Sequence, residues 1–388
     1  MPKGFLPYLF IFCLLAFTIP ARSEDEPKLK VTPSGRVLID GALYASPQKE
    51  LFGDGMAIPE ARVGVKAYYG KWSSWIDVGF AYAKIGLRNM WVEYAFNPSN
   101  SIRIGNFIHQ FGLQSTTSSL KCTFEQPLAA TPFTPGLQLG AMYNYFSPSF
   151  YAAASFHVES SALNNMMNYP SFIQQGYGLL TRLVWRKIQE NPANGVVNIG
   201  LSGGFSTPQR TLIDNVDVHN GFNFSANFPT RVVTEQAVGT TVDHAMNLFK
   251  LSPEILLSKQ RLAIESQYFF QRVNRRQNLP AYNSQGVYIT LRSILFGGNY
   301  SYNSAAAQPV NPDKNTLELV ADYNYLTLSD SKAAIYGGRA NSVNLTLNYY
   351  FNKYFTARLN YSFTHTWNRA DHEPLTMNGF QFRIMALF

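Results

Sequence analysis

The last nine residues, Phe380-Gln381-Phe382-Arg383-Ile384-Met385-Ala386-Leu387-Phe388, put an apolar side chain at every even position, with Gln381 and Arg383 between them. A period of two is the period of a β-strand with unlike faces. The pattern recurs through the chain. Arg62, Gly64 and Lys66 interleave with Ala61, Val63, Val65 and Ala67. Asn344, Thr346 and Asn348 interleave with Val343, Leu345, Leu347 and Tyr349, and Thr356, Arg358, Asn360 and Ser362 with Phe355, Ala357, Leu359, Tyr361 and Phe363. Helices repeat their apolar positions every three to four residues, so these stretches read as strands. In a soluble sandwich the apolar face would point inward. In a membrane barrel it faces lipid, and the polar face lines the lumen. Alternation alone does not choose between the two.

The other end of the chain favours the membrane. Lys3, an apolar run from Phe5 to Ile19 and the small-x-small site Ala21-Arg22-Ser23 have the form of a signal peptide over residues 1–23. Pro7 and Pro20 bracket a core too short to span a bilayer well. Cys13 lies inside that core rather than just after it, which argues against a lipid-anchored cysteine. Cleavage after Ser23 removes Lys3 and Arg22 and takes the formal charge from +8 to +6. Residues 24–35 are then expected as a short periplasmic leader and 36–388 as one outer-membrane β-barrel. Beyond the signal, no uninterrupted apolar stretch approaches the length of a helical span. Aromatic residues make up 15% of the chain and charged residues only 14%, against about a quarter in soluble domains. A lipid-facing barrel with aromatic girdles has that composition. Cys122 is the one cysteine left after cleavage, so no intrachain disulfide is expected. No block of like charge suggests nucleic acid, and no ligand spacing suggests a metal or cofactor.

The connections alternate in length. Tight turns rich in Gly, Asn, Pro and Ser fall at Gly70-Lys71, Asn97-Pro98-Ser99-Asn100, Ser147-Pro148-Ser149, Asn191 to Gly195, Ser258-Lys259-Gln260 and Asn352-Lys353. Longer connections fall near 46–57, 109–137, 159–173, 207–240, 273–283, 329–340 and 368–377. The expected strands are 36–45, 58–70, 72–83, 87–97, 101–108, 138–146, 150–158, 174–188, 196–206, 241–257, 261–272, 285–297, 315–328, 341–351, 354–367 and 378–388. The fold class is therefore all-β: a transmembrane antiparallel barrel of about 16 strands, with short periplasmic turns and long extracellular loops. Barrels of this size leave an aqueous channel. Residues 298–314 are the exception, a long connection where a short turn is due.

Polar parity assigns the lumen. Its basic candidates are Arg36, Arg62, Lys66, Arg103, Arg182, Arg186, Lys250, Arg261, Arg292, Arg358 and Arg383. The acidic ones are Asp40, Glu60, Asp77, Glu93, Glu254, Glu265, Glu318 and Asp322. Eleven against eight is a modest positive excess, which favours anions weakly unless cross-strand pairing cancels the field. Segment 109–137 follows the fifth strand and is apolar enough to pack against a wall. If it narrows the pore, its formal charges Lys121 and Glu125, with neighbouring Gln126, bear on selectivity.

Several motifs in order resemble the phosphate-selective porin O and P family over nearly all of the mature chain. They are Val31-Thr32-Pro33-Ser34-Gly35-Arg36, Arg103-Ile104-Gly105-Asn106-Phe107, Phe111-Gly112-Leu113, Phe133-Thr134-Pro135-Gly136 and Leu139-Gly140. Further on come Leu317-Glu318-Leu319-Val320-Ala321-Asp322-Tyr323, Gly337-Gly338-Arg339-Ala340-Asn341 and Leu347 to Tyr354. The resemblance implies a sixteen-stranded outer-membrane channel, usually a homotrimer, that conducts small anions or other small hydrophilic solutes. Its last strand, ending at Phe388, would be read by the barrel assembly machinery, and its outer face would meet outer-membrane lipid. Members of the phosphate-selective type tend to carry Arg after the Phe-x-Glu stretch and after the Pro-Gly. Here Gln126 and Leu137 stand there, which removes two bidentate phosphate donors. An enzyme would need a histidine beside a carboxylate or serine. Asp217-Val218-His219 and Asp371-His372 are such neighbours but have no partner motif. A ligand-binding barrel is the other alternative, with Phe222, Phe224 and Phe228 stacking on a sugar or packing the loop itself.

Overall fold

A computed structural model describes residues 27–81, 84–115, 123–158, 172–213, 216–370 and 373–388. The signal segment, Lys121, Cys122, Asp371 and His372 lie outside them. Sixteen antiparallel strands close into one barrel. They are β1 Lys30–Tyr44, β2 Gly55–Tyr69, β3 Trp72–Ala81, β4 Lys84–Asn97, β5 Asn100–Ile108, β6 Leu137–Phe146, β7 Phe150–Val158 and β8 Tyr177–Ile188. The second half is β9 Val196–Ser206, β10 Ala245–Lys259, β11 Leu262–Arg275, β12 Tyr282–Phe296, β13 Thr316–Asp330, β14 Ile335–Tyr350, β15 Phe355–Arg369 and β16 Leu375–Leu387. Closure pairs every strand on both sides, the condition for placing backbone amides in hydrocarbon.

The closing seam joins β1 to β16, from Arg36 opposite Leu387 to Tyr44 opposite Gly379. Phe388 extends it: Gly35 N–H donates to its carbonyl at 2.7 Å, and Phe388 N–H donates to Gly35 O at 3.0 Å. Gly35 leaves room there for the Phe388 ring, which a Cβ would approach to 2.2 Å. The alternation resolves as apolar outside and polar inside. Leu43, Leu359 and Phe380 are more than 60% exposed on the outer face, while Ser342, Asn348 and Ser362 are fully buried within. Outward aromatics collect at the short-turn end, where Trp72 meets Tyr94 at 4.7 Å and Tyr349 meets Phe351 at 4.6 Å. This is the girdle expected at a membrane interface.

Most strand ends differ from the sequence reading by a few residues, and two differ most. Strand β1 begins at Lys30 rather than 36, because Lys30 to Gly35 pair with Tyr68 to Val63. The expected loop 329–340 shrinks to residues 331–334, because a register shift lets Ser329 pair with Tyr336 beyond the regular ladder.

The largest difference is inside the barrel. Three connections fold into it. Residues 109–115 and 123–136 and a hairpin of Phe222–Asn227 with Gln236–Val242 enter from the long-loop end. A smaller hairpin, Ser301–Asn303 with Gln308–Val310, enters from the short-turn end. Phe111, Leu128, Phe133, Phe222, Phe224, Phe228 and Val238 join Phe269, Tyr282, Tyr288 and Leu326 of the wall in one buried apolar cluster. The three phenylalanines considered for sugar stacking are thus core. Phe224 stacks on Tyr282 at 6.2 Å, and Phe228 meets Phe52 edge-on at 5.0 Å. The exceptional 298–314 segment adds no strand to the barrel.

Candidate functional site: an ion-paired constriction

The described parts of the β5–β6 connection, 109–115 and 123–136, leave β5 and reach the opposite wall. The chain turns at Gly112, whose φ of +78° favours glycine and whose missing Cβ makes room for Gln267. Gln114 Nε2 then donates to Glu265 and Tyr288, each at 3.0 Å. Ala129 N–H donates to Asn324 at 3.2 Å, and Lys250 Nζ donates to Phe133 O at 3.0 Å. Arg358 donates to Thr123 O at 2.8 Å. The Phe133 ring stacks on Phe269 at 5.3 Å. Gln126 stays within the segment, donating to Thr134 Oγ1 at 2.9 Å.

Its charged anchor is Glu125. Arg383 of β16 grips Asp40 of β1 with two hydrogen bonds of 2.7 and 2.6 Å and also pairs with Glu125. Glu125 pairs on its other side with Arg231 of the 207–244 connection, at 2.9 Å. Arg231 reaches Glu60 of β2 at 3.4 Å. Glu60 in turn holds Arg36, and Arg62 at 2.7 Å, and Arg62 reaches Asp77 at 3.8 Å. Four guanidiniums and four carboxylates form one chain of contacts, neutral in sum. It ties both inserted loops to the closing seam. Burial opposes ionisation of Glu125, but the neighbouring Arg231 and Arg383 charges outweigh it and hold the carboxyl below its usual range. The Glu125 charge, working against burial, raises Arg231.

The inward arginines divide into two groups. Arg182, Arg186, Arg292, Arg358 and Arg383 are at most 4% exposed. They face inward as parity requires, yet they are covered. Arg182 pairs with Glu254 at 2.7 Å and is capped by the carbonyls of Ala306 and Ala307. Arg186 donates to Ser304 O at 2.6 Å, and Arg292 pairs with Glu318 at 2.9 Å. The 298–314 segment supplies three of those carbonyl acceptors. Arg261 is not in the lumen at all. It sits in the turn before β11 and donates to Gly297 O at 3.1 Å.

The second group lies on β1–β5 and stays partly exposed. Side-chain exposure is 15% for Arg36, 16% for Arg62 and 28% for Arg103. Arg103 pairs with Glu93 at 2.5 Å and lies over the Trp91 ring at 4.1 Å. Lys66 Nζ sits 4.6 Å above the Trp75 ring. Sequence parity missed Arg88. A register shift between Ile76 and Val78 places both Arg88 and Asn89 opposite Asp77, so two consecutive residues turn inward. Arg88 lies across Gly79, which has no side chain to exclude it. Arg231 was missed because no period marks a loop residue. Five cations (Arg36, Arg62, Lys66, Arg88, Arg103) and four carboxylates (Asp40, Glu60, Asp77, Glu93) lie on this wall, and Asp40 is taken up by Arg383 of β16.

The family model for phosphate-selective porin O and P matches residues 35–388. No curated protein matches the sequence. Among solved structures, an anion-selective porin from Comamonas acidovorans superposes with a TM-score of 0.60 at 11% identity, covering 93% of this chain and 100% of that one. OmpT of Vibrio cholerae, in-vitro folded and in trimer form, gives 0.59 at 12% identity, covering 93% and 99%. The outer membrane channel DcaP of Acinetobacter baumannii gives 0.57 at 9%, covering 95% and 99%. At these identities the likeness is one of fold.

Proposed function

The chain belongs to the phosphate-selective porin O and P family of outer-membrane channels, and from that premise we propose that it passes small hydrophilic solutes with a mild preference for anions, along the part of the lumen walled by β1–β5. The observation that carries this reading is that, with Asp40 held by Arg383 of β16, five cations outnumber the three remaining carboxylates on an inner wall whose arginines keep solvent exposure. The opposite wall is sealed by the inserted loops, so its arginines spend their field on Glu254, Glu318, Asp40 and Glu125. In a narrow passage between low-dielectric walls, fixed positive charge raises the local anion concentration, and salt screens the effect.

The preference is general rather than phosphate-specific. Selective phosphate capture needs several unengaged guanidinium forks that converge, and among the arginines of this wall only Arg88 has no ion pair among the described residues. Arg36 and Arg62 share Glu60, and Arg103 is held by Glu93. Gln126 and Leu137 stand where the resemblance leads one to look for two more arginines. Lys66 and Arg88 have no ion pair among the described residues and are the mobile-anion contacts in this reading; Lys121 is a further candidate. The sugar-stacking alternative loses its aromatics to the core. We also propose cleavage after Ser23, recognition of the Phe388 strand by the assembly machinery, contact of the outer face with outer-membrane lipid, and assembly as a homotrimer. The last is supported by the trimer form of the Vibrio relative.

Reversal potentials of purified protein in planar bilayers, under chloride and then phosphate gradients, test the central claim. Anion preference in both salts, similar in size, is expected. A cation preference would sink the assignment of the β1–β5 wall, and a strong preference for phosphate over chloride would sink the general-anion reading.

A further inference from the structure

Two buried imidazoles and a buried side-chain amide cluster at the long-loop end of β5–β7. His109 follows β5 directly, Gln138 faces inward on β6, and His157 faces inward on β7. His109 is 0% exposed, His157 1% and Gln138 7%. His109 Nε2 lies 3.2 Å from the backbone carbonyl of Gln138 and donates to it, which leaves Nδ1 as an unprotonated acceptor. That Nδ1, the Nδ1 of His157 and the Oε1 of Gln138 all lack a hydrogen-bond partner among the described residues. Buried acceptors in native proteins are almost always satisfied, so three orphans on adjacent strands call for an occupant.

The surroundings make room for both rings. A Cβ on Gly140, which pairs with His157 across β6 and β7, would sit 2.9 Å from His109 Cε1. A Cβ on Gly178 of β8 would sit 2.4 Å from His157 Nε2. The imidazole centroids are 5.3 Å apart, with the ring planes at 46°. A metal ion about 2.0 Å from one nitrogen of each ring lies about 3.2 Å from each centroid, and at the tetrahedral angle the centroids then fall about 5 Å apart.

We propose that His109 and His157, with Gln138 Oε1, bind one divalent cation of the imidazole-preferring class, such as Zn²⁺ or Cu²⁺. The backbone bond from His109 Nε2–H to Gln138 O is the outer contact that orients a ligating imidazole. A cavity of about 300 Å³, lined among others by Gln138, His157, Ser206 and Lys250, supplies solvent for the fourth position. The Lys250 ammonium in that cavity donates to Phe133 O. It is the one cation in the cavity lining that works against the site. Because His109 is the first residue of the inserted segment, the bound ion clamps the root of that segment to β7. The proposal does not depend on the anion preference proposed above.

The test uses untagged protein in detergent, stripped with a chelator. Titration with Cu²⁺ should give one tight equivalent per chain, with nitrogen hyperfine structure from two imidazoles in the electron paramagnetic resonance spectrum. His109→Asn and His157→Gln should each remove one nitrogen and weaken Zn²⁺ binding in equilibrium dialysis at least ten-fold. His365→Gln, on β15, should change neither. A wild-type Cu²⁺ spectrum without nitrogen hyperfine overturns the proposal outright, whatever the variants do. So does Zn²⁺ binding that is equal in wild type, His109→Asn and His157→Gln.

Discussion

Glu125→Gln removes one charge from the middle of the ionic chain and almost nothing from its shape. Glu125 faces Arg231 at 2.9 Å on one side and Arg383 on the other, with 12% of its side chain exposed. Each charge-assisted hydrogen bond contributes about 1.5–3 kcal/mol. Gln keeps one acceptor oxygen, Arg383 keeps Asp40, and Arg231 keeps Glu60. After those remainders and partial solvent screening, the loss is about 2–3 kcal/mol of loop attachment. At about 1.4 kcal/mol per decade, the detached population of segment 123–126 rises roughly 30- to 150-fold. Single-channel recording in planar bilayers reads this directly: the variant should show frequent excursions to larger conductance that the wild type rarely visits at neutral pH. The pH dependence has a defined sign. The folded carboxyl is held below its ordinary value, so its contribution is complete above the ordinary carboxylate range, about 4.3, and is lost as pH falls through the folded value. Wild type should therefore acquire the same excursions only in acid, and the variant should lack that transition. Unchanged conductance at neutral pH, together with a wild-type acid transition in the variant, would refute the claim that Glu125 holds the loop.

Arg182→Met and Lys66→Glu should behave oppositely. The first breaks a pair with both side chains 0% exposed and should cost about 3–5 kcal/mol in urea unfolding while leaving the reversal potential unchanged; the second should shift the reversal potential toward cations with little effect on unfolding. Gly112→Ala forces a side chain into a φ of +78° and within 1.6 Å of Gln267 Nε2, so it should loosen the inserted segment by about 1–3 kcal/mol and raise open-channel noise; a quiet, unaltered channel would argue against the tight turn. Removing residues 301–310 takes away Tyr302 and the carbonyls over Arg182 and Arg186, so conductance and anion preference should both rise; no change in either would mean that this hairpin does not cover the passage.

Much of the fold was legible because a strand's two faces are a local property. The sixteen strands and the inward direction of Arg36, Arg62, Lys66, Arg103, Arg182, Arg186, Arg292, Arg358 and Arg383 follow from period-two alternation read a few residues at a time. Where the period breaks, the reading broke with it. The bulge opposite Asp77 turned Arg88 inward unseen, and Arg261 was counted as strand when it is turn. The final strand shows both sides. Its alternation determined that Arg383 points into the barrel and Phe388 away from it. Whether Arg383 meets water there was not written in its neighbours. That was decided by Asp40 and Glu125, 343 and 258 residues away, and by two loops that fold inward only because the closed wall offers them Phe269, Tyr282 and Tyr288 to pack on. Facing follows from chain geometry, which acts between adjacent residues. Accessibility follows from tertiary burial, which acts across the closed barrel, and only the assembled structure leaves the β1–β5 wall as the part of the lumen with charge to spare.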